Sequence, residues 1–189
     1  MKILPLSAAV LRACLITGPA DARVRNVTDA NAPRSLATEG PVQVDWTDPA
    51  QFSDIRFSGN RWEAQRGNWV QQLAQHLQTR ATAQLPAGET LQVTFTDIKR
   101  AGQFEPWRGP NLQDTRIVRE IYPPHIELSF KRLDAQGNVI DQGERRLRDS
   151  GFMMGASSVM NSDPLRFEKR MLDDWLRREL RADAALSVR

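Results

Sequence analysis

The amino-acid sequence predicts an α+β fold, in which a single, mostly antiparallel sheet carries two helices packed on one of its faces. Several short segments alternate apolar and polar residues, which is typical of strands that bury one face. Two longer segments place their apolar residues along one side of a helix, which is typical of amphipathic helices. The predicted order is strand, helix, strand, strand, hairpin and helix, and this order favours an α+β domain.

Two strands are predicted from simple alternation, over residues 42–46 and 91–96. Their apolar positions are Val42, Val44 and Trp46 in the first segment, and Leu91, Val93 and Phe95 in the second. Because side chains of a strand point to alternate faces, each segment presents one apolar face to the core.

The first helix is predicted from Asn60 to about Ala83. Asn60 and Glu63 resemble a capping box, which satisfies free amide groups at a helix start. The apolar positions recur at helical spacing: Trp62, Trp69, Val70, Leu73 and Leu77. Gly67 weakens the helix, and the Pro86 to Gly88 stretch stops it.

A loop is predicted over residues 99–114, because glycines and prolines interrupt every regular pattern there. A third strand is predicted over residues 116–122, ending at Pro123 and Pro124. One interpretation of this segment is an edge strand that its charges and prolines protect from other chains.

A β-hairpin is predicted from residues 126–133 and 139–147. Ile126, Leu128 and Phe130 alternate with polar residues, and the Gly137-Asn138 pair suits the left-handed conformations of a turn.

The last helix is predicted to begin with Asp163 as its cap and Pro164 as its first residue, since proline has no amide hydrogen to leave unbonded there. Its apolar face comprises Leu165, Leu172, Trp175, Leu176 and Leu180. Arginines, lysine and carboxylates occupy the opposite face.

The predicted domain organisation is an export signal at residues 1–22, a mobile leader at 23–40, a single α+β domain at 41–181 and a tail at 182–189. Lys2, an apolar run and small residues before Arg23 are the parts of a secretory signal. Two export routes stay open, namely cleavage after Ala22 and lipid attachment at Cys14. Arg12 interrupts the apolar run, so a misread start is a further alternative.

The composition argues against several classes of function. The formal net charge of +3 does not indicate a nucleic-acid footprint. The only cysteine lies in the signal, so the mature chain has no thiol chemistry, and its two histidines do not form a metal motif. No later segment is long and apolar enough for a transmembrane helix. We therefore predict no cofactor and no metal.

The candidate contact site lies in the loop that holds Phe104, Glu105, Trp107 and Arg108. Rigid aromatic area and arginine bind partners at little cost in entropy, and function often resides in such loops. In the alternative interpretation Phe104 and Trp107 plug the open end of the sheet while Glu105 pairs with Arg108.

Tyr122 and His125 follow that loop and are further candidate contacts. A hydrolase that uses His125 with Glu105 or Asp114 is the enzymatic alternative. No serine, metal or phosphate-loop constellation supports it, so the sequence favours a non-enzymatic role.

The basic residues Arg145, Arg146 and Arg148 lie in the second strand of the hairpin. Glu144 and Asp149 flank them, which favours a solvated outer face. A role in anion binding is the alternative.

Three separated motifs resemble the exported bacterial family called domain of unknown function 3016. They span residues 104–110, 116–124 and 163–175, in the family's order, and the resemblance covers about residues 42–180. The resemblance implies an envelope protein of proteobacteria with no assigned activity and no catalytic residues to transfer.

Together these observations predict a soluble periplasmic domain that acts as a binding or accessory module of the bacterial envelope. Its partner is an unidentified envelope protein or ligand. The alternatives are the hydrolase centred on His125 and an outer-membrane accessory lipoprotein attached at Cys14.

Overall fold

The computed structural model describes residues 26–37, 39–154 and 162–182. The strands are β1 (Val42–Trp46), β2 (Thr90–Lys99), β3 (Gln103–Phe104), β4 (Arg116–Ile117), β5 (His125–Leu133) and β6 (Val139–Arg148). The helices are α1 (Ser53–Arg56), α2 (Arg61–Gln65), α3 (Trp69–Thr82) and α4 (Arg166–Ala182), with short 3-10 turns at Pro49–Gln51 and Pro106–Arg108. The predicted export signal with Cys14 and the predicted tail beyond Ala182 lie outside the described residues.

The main sheet has four strands in the order β1-β2-β5-β6. The β2–β5 and β5–β6 pairs are antiparallel, whereas β1 and β2 are parallel. β3 and β4 form a separate two-stranded antiparallel sheet. The α+β class is therefore confirmed, but the prediction of one mostly antiparallel sheet holds only in part. The parallel pair arises because α3 lies in the connection between β1 and β2, which lets the chain return in the same direction.

The core lies between the main sheet and the two long helices. α3 contacts β1 and α4, and α4 contacts β6. Leu91, Val93 and Phe95 of β2 are buried as the alternation predicts. The edge of Phe130 lies against Trp175 of α4, with ring centres 5.8 Å apart. Apolar area from both layers thus leaves water, which is the main favourable contribution to folding.

The predicted first helix is two helices. Gly67 has φ of +84°, a left-handed conformation that no helix contains, and it separates α2 from α3. Asn60 caps α2 as predicted, because its side chain accepts a hydrogen bond from the Glu63 amide at 3.2 Å. The break turns Trp62 away from the core, so its predicted core position is wrong.

The predicted third strand is much shorter than its pattern indicates. Only Arg116–Ile117 pair, and their partners are Phe104 and Gln103 rather than the main sheet. The following residues lead through turns to β5.

The predicted hairpin is confirmed, and the predicted last helix is present but begins at Arg166 rather than at Pro164. β5 and β6 pair through most of their length, and in the connecting turn only Gly137, with φ of +82°, is left-handed, whereas Asn138 is not. Asp163 accepts a hydrogen bond from the Leu165 amide at 2.8 Å, so it caps the chain just before α4 begins.

Residues 26–37, for which the sequence predicts a mobile leader, contact the domain. Val27 and Leu36 are buried in the core cluster, and the Leu36 amide donates to the Val44 carbonyl at 3.0 Å. The segment also bridges β1 between Ser35 and Asp45. Within the described ranges, no helix combines the length and apolar character that crossing a bilayer requires.

Candidate functional site

A buried ion cluster joins α1, the end of β2 and β4. The Asp54 carboxylate is fully buried and accepts hydrogen bonds from Arg100 at 2.7 and 2.9 Å and from Arg116 at 2.9 and 3.0 Å. The Arg100 backbone amide donates to the same carboxylate at 3.0 Å. Two guanidinium groups therefore saturate one carboxylate, which fixes the relative positions of three segments.

Aromatic rings line this cluster. The Arg100 guanidinium lies 4.3 Å from the ring centre of Trp69, and the Arg116 guanidinium lies 4.8 Å from that of Phe104. Such cation–π contacts strengthen when they are shielded from water. Burial raises the pKa of Asp54, but the charges and hydrogen bonds of Arg100 and Arg116 outweigh it, so the pKa lies below its ordinary value.

Glu105 anchors the loop that the sequence singled out. Its buried carboxylate accepts hydrogen bonds from the Tyr122 hydroxyl at 2.8 Å, from Arg119 at 3.2 Å and from Arg108. The hydrogen bond from Tyr122, followed by those of the two arginines, overcomes burial and lowers the pKa of Glu105. The same bond raises the pKa of the Tyr122 hydroxyl. The predicted Glu105–Arg108 pair is thus present, and Tyr122 joins it.

The two aromatic residues of the loop have opposite environments. Phe104 is buried, as the plug interpretation predicts, whereas 70% of Trp107 is exposed. Trp107 follows Pro106 in a short 3-10 turn, directly after the anchored Glu105. A large apolar side chain is therefore held outward by a fixed backbone.

The turn at residues 57–60 lies against this loop. Gln103 donates to the Phe57 carbonyl at 2.9 Å, and Asn60 donates to Asp114 at 2.8 Å. A side chain at Gly59 would overlap the Phe104 carbonyl oxygen and approach Pro106, so only glycine permits this close approach.

Three large aromatic side chains are exposed on these adjoining segments. We call them the aromatic rim: Phe57 (64% exposed), Trp62 (67%) and Trp107 (70%). Four exposed arginines lie on the same segments: Arg56, Arg61, Arg108 and Arg119. The Arg56 guanidinium lies 5.3 Å from the centre of the Phe57 ring. Aromatic residues and arginine are the types most enriched where proteins bind each other.

His125 does not join Glu105. Its Nε2 lies 3.0 Å from Asp97, and the Ser53 hydroxyl donates to the same Asp97 oxygen at 2.6 Å. The predicted carboxylate partners of His125, Glu105 and Asp114, are therefore replaced by Asp97. A serine nucleophile needs histidine between itself and the carboxylate, but here the carboxylate lies between Ser53 and His125.

The basic residues of β6 have separate environments. Arg145 lies on the helix side, where it bonds Glu179 of α4 at 2.6 Å and lies over the Phe130 ring. Arg146 pairs with Glu127 of the neighbouring strand at 2.7 Å, and Arg148 is exposed. The predicted outer face therefore includes Arg146 and Arg148 but not Arg145.

Sequence reasoning missed Asp54 and Glu168, two buried charges at this end of the sheet, and Arg100, which pairs with Asp54. Glu168 of α4 accepts a hydrogen bond from the Ala101 amide at 2.6 Å, and burial raises its pKa above the ordinary value. The sequence offers one sign that Asp54 is buried, namely its position between the apolar residues Phe52 and Ile55. Among the described residues, no three histidine, cysteine or carboxylate side chains are grouped to hold a metal ion.

The resemblance to domain of unknown function 3016 is confirmed by comparison with protein families. A family model described as "Protein of unknown function (DUF3016)" matches residues 40–178. Neither the curated proteins nor the solved structures gave a match to the chain.

Proposed function

Because the chain belongs to the DUF3016 family of proteins of unknown function, we propose a role from its own surface. The protein is a non-enzymatic binding module of the bacterial envelope, and it captures an acidic segment of a partner protein. The single observation that supports this proposal is the aromatic rim, Phe57, Trp62 and Trp107, exposed on a rigid support.

Rigidity is what makes these exposed rings suitable for binding. The Asp54 cluster fixes α1 and β4, and the buried Glu105 carboxylate holds the start of the Trp107 turn. A surface that is already in its binding conformation loses little entropy when a partner docks. Exposing this much aromatic area has no benefit for the isolated domain, since burial of the same rings would favour folding.

The charge of the rim favours an acidic partner. Arg56, Arg61, Arg108 and Arg119 are exposed there. The buried Glu105 carboxylate already pairs with Arg108 and Arg119, so among the described residues Arg56 and Arg61 are the rim arginines without a carboxylate partner. These two arginines present positive charge beside apolar rings, and carboxylates of a partner complement this pattern.

The envelope location is part of the proposal and rests on the export signal that the sequence predicts at residues 1–22. Cleavage after Ala22 gives a free periplasmic domain, whereas lipid attachment at Cys14 gives a membrane-tethered one. The intact mass of the mature protein from a bacterial host distinguishes them, since a diacylated N-terminus adds mass that a cut before Arg23 does not. A full-length cytoplasmic product would contradict both routes.

The binding role is tested with a photoactivatable amino acid at position 107 of the full chain in living cells. Mass spectrometry then identifies the captured segment, and a synthetic peptide of that sequence is titrated with the purified protein. We expect a segment rich in Asp and Glu, and at least tenfold weaker binding by the double variant Trp107→Ala, Arg108→Ala.

The matched control is the double variant Val139→Ala, Lys131→Ala, which removes one exposed apolar and one exposed basic side chain from the main sheet. It should bind the peptide as the wild type does. The proposal is wrong if position 107 captures no more than position 131, or if both double variants bind equally well.

A further inference from the structure

The face of the main sheet that points away from α3 and α4 carries a row of three basic side chains. Lys99 of β2 pairs in register with His125 of β5, and His125 pairs with Arg148 of β6. The adjacent Ile98, Ile126 and Leu147 are all buried. Since neighbouring residues of a strand point to opposite faces, the three basic side chains share the outer face.

This row is electrostatically unfavourable unless something neutralises it. Adjacent strands are about 4.8 Å apart, so the two cationic residues Lys99 and Arg148 lie about 10 Å apart with His125 between them. Positive charge gathered in one row of a sheet favours a counter-charge at this position.

The carboxylates of the neighbouring row on this face, Asp97 and Glu127, do not supply enough negative charge to neutralise it. Asp97 accepts hydrogen bonds from His125 and from both the amide and the hydroxyl of Ser53. Glu127 pairs with Arg146 at 2.7 Å. These carboxylates thus have their own partners, and of the three basic residues Asp97 bonds only the central one, His125.

Lys99 and Arg148 are in no ion pair with any residue in the part of the chain that the structure describes. Lys99 is half-buried, and this burial lowers the pKa of its ammonium group. The carboxylates of Asp54 and Asp97 attract Lys99 from a longer distance but do not offset this burial, so an anionic oxygen of a ligand would improve the environment of the ammonium group.

A cleft on the same face adjoins the row. It has a volume of about 410 Å³, and its lining includes the outer-face residues Thr96, Glu127, Glu144 and Arg146. Leu128 and Arg145, whose side chains point to the helix side, complete the lining. The cleft is large enough for a small organic group rather than a single ion. Its lining offers hydroxyl, carboxylate and guanidinium groups for hydrogen bonds.

We propose that Lys99, His125 and Arg148 bind the phosphoryl group of a ligand whose remaining atoms lie in the cleft. A tetrahedral phosphoryl group presents several oxygens, and the side chains of Lys99 and Arg148 can donate hydrogen bonds to them. His125 adds a third donor through Nδ1 when its ring is protonated, since its Nε2 bonds Asp97. Asp97 acts as a positioning residue, because its hydrogen bond orients the His125 ring. The site uses different residues from the aromatic rim and does not depend on the proposed partner.

The phosphoryl group can belong to a soluble molecule or to a lipid headgroup, and two probes distinguish these sources. Inorganic phosphate is titrated into the full domain while amide and side-chain signals are followed by nuclear magnetic resonance. In parallel, the protein is sedimented with vesicles of phosphatidylglycerol and, for comparison, of phosphatidylcholine.

We expect phosphate to shift the signals of His125, Lys99 and Arg148, and we expect Lys99→Gln and Arg148→Gln each to weaken binding about tenfold. Lys131→Gln is the matched control, since Lys131 is an exposed lysine of the same face at the other end of β5. It should change binding less than twofold. Sedimentation only with phosphatidylglycerol, lost in Lys99→Gln, would identify the lipid headgroup as the source.

A measurement without added ligand keeps the test independent of folding defects. In phosphate-free buffer Lys99→Gln should unfold at the same or a higher temperature than the wild type, because it removes an uncompensated charge. The proposal is overturned if neither probe binds, or if Lys131→Gln weakens binding as much as Lys99→Gln. A marked loss of thermal stability in Lys99→Gln would also overturn it, since Lys99 would then be structural.

Discussion

Arg100 Nη2 lies 2.7 Å from Asp54 Oδ2, and this ion pair connects the end of β2 to α1 in the interior of the domain. Arg116 bonds the same carboxylate from β4, so one acidic side chain links α1, the end of β2 and β4.

Asp54→Asn should lower the free energy of unfolding by about 3–5 kcal/mol, because the guanidinium groups of Arg100 and Arg116, 14% and 18% exposed, would lose their buried counter-charge. Urea denaturation measures the change. Asp48→Asn is the matched control, since Asp48 pairs with Arg34 at the surface and its loss should cost less than about 1 kcal/mol. Equal effects of the two substitutions would show that the Asp54 cluster does not stabilise the fold.

Phe104→Ala and Trp107→Ala should differ sharply in their effect on stability. Phe104 is buried beside Arg116, so its truncation should cost about 3–5 kcal/mol. Trp107 is exposed, so its truncation should change the unfolding free energy by no more than about 0.5 kcal/mol. A large loss at Trp107, measured by the same urea titration, would favour the plug interpretation over the binding surface.

Glu168→Gln should stabilise the protein at neutral pH. Burial raises the folded-state pKa of Glu168 above the ordinary value of about 4.5. The folded protein therefore holds this proton more tightly than the unfolded chain does, and the free energy of unfolding falls as pH rises from about 4.5 toward the folded-state pKa. The advantage of the variant should appear above about pH 4.5 and vanish below it. Unfolding free energies across this pH range test the prediction.

The control for this pH series is Glu39→Gln, which changes an exposed carboxylate of the same type. An advantage of Glu168→Gln that stays constant with pH would contradict the ionic explanation and point to packing instead.

Glu105→Gln should loosen the Trp107 turn at neutral pH but not in acid. Hydrogen bonds from Tyr122 and two arginines lower the folded-state pKa of Glu105. Its stabilising effect is therefore present above the ordinary pKa of about 4.5 and is lost as pH falls through the lower folded-state value. Hydrogen exchange of the amides in residues 105–109, corrected for intrinsic rates, measures it.

Tyr122→Phe should reproduce part of this loosening at neutral pH, because it removes one of the three donors. If exchange in the turn is unchanged in both variants, the Glu105 carboxylate is not what holds Trp107 in place.

The elements that local chemistry determines could be predicted from the sequence. The β5–β6 hairpin has its turn residues next to it, and α4 has its cap, proline and apolar face within one segment. Gly67 indicates a weak point of the predicted helix, but the sequence does not show that this glycine adopts a left-handed φ and splits the helix in two.

Features that depend on distant residues could not be predicted. The parallel β1–β2 pairing and the Asp54–Arg100 contact join segments that no local pattern connects. For the candidate site, the pattern identified Phe104, Glu105, Trp107 and Arg108 as a unit. It could not show that Phe57 and Trp62 are exposed on a segment next to Trp107. The close approach of Gly59 to Phe104 and Pro106, which brings the two segments together, exists only in the folded protein.

The parallel pairing of β1 with β2 also has a consequence for synthesis. Val42, Val44 and Trp46 leave the ribosome early, whereas the strand that completes their hydrogen bonds is translated only after the whole of α3. Until then an apolar strand of the nascent chain has no native neighbour on that side, and distant pairings of this kind form slowly. The first strand translated is therefore available to chaperones before the domain can enclose it.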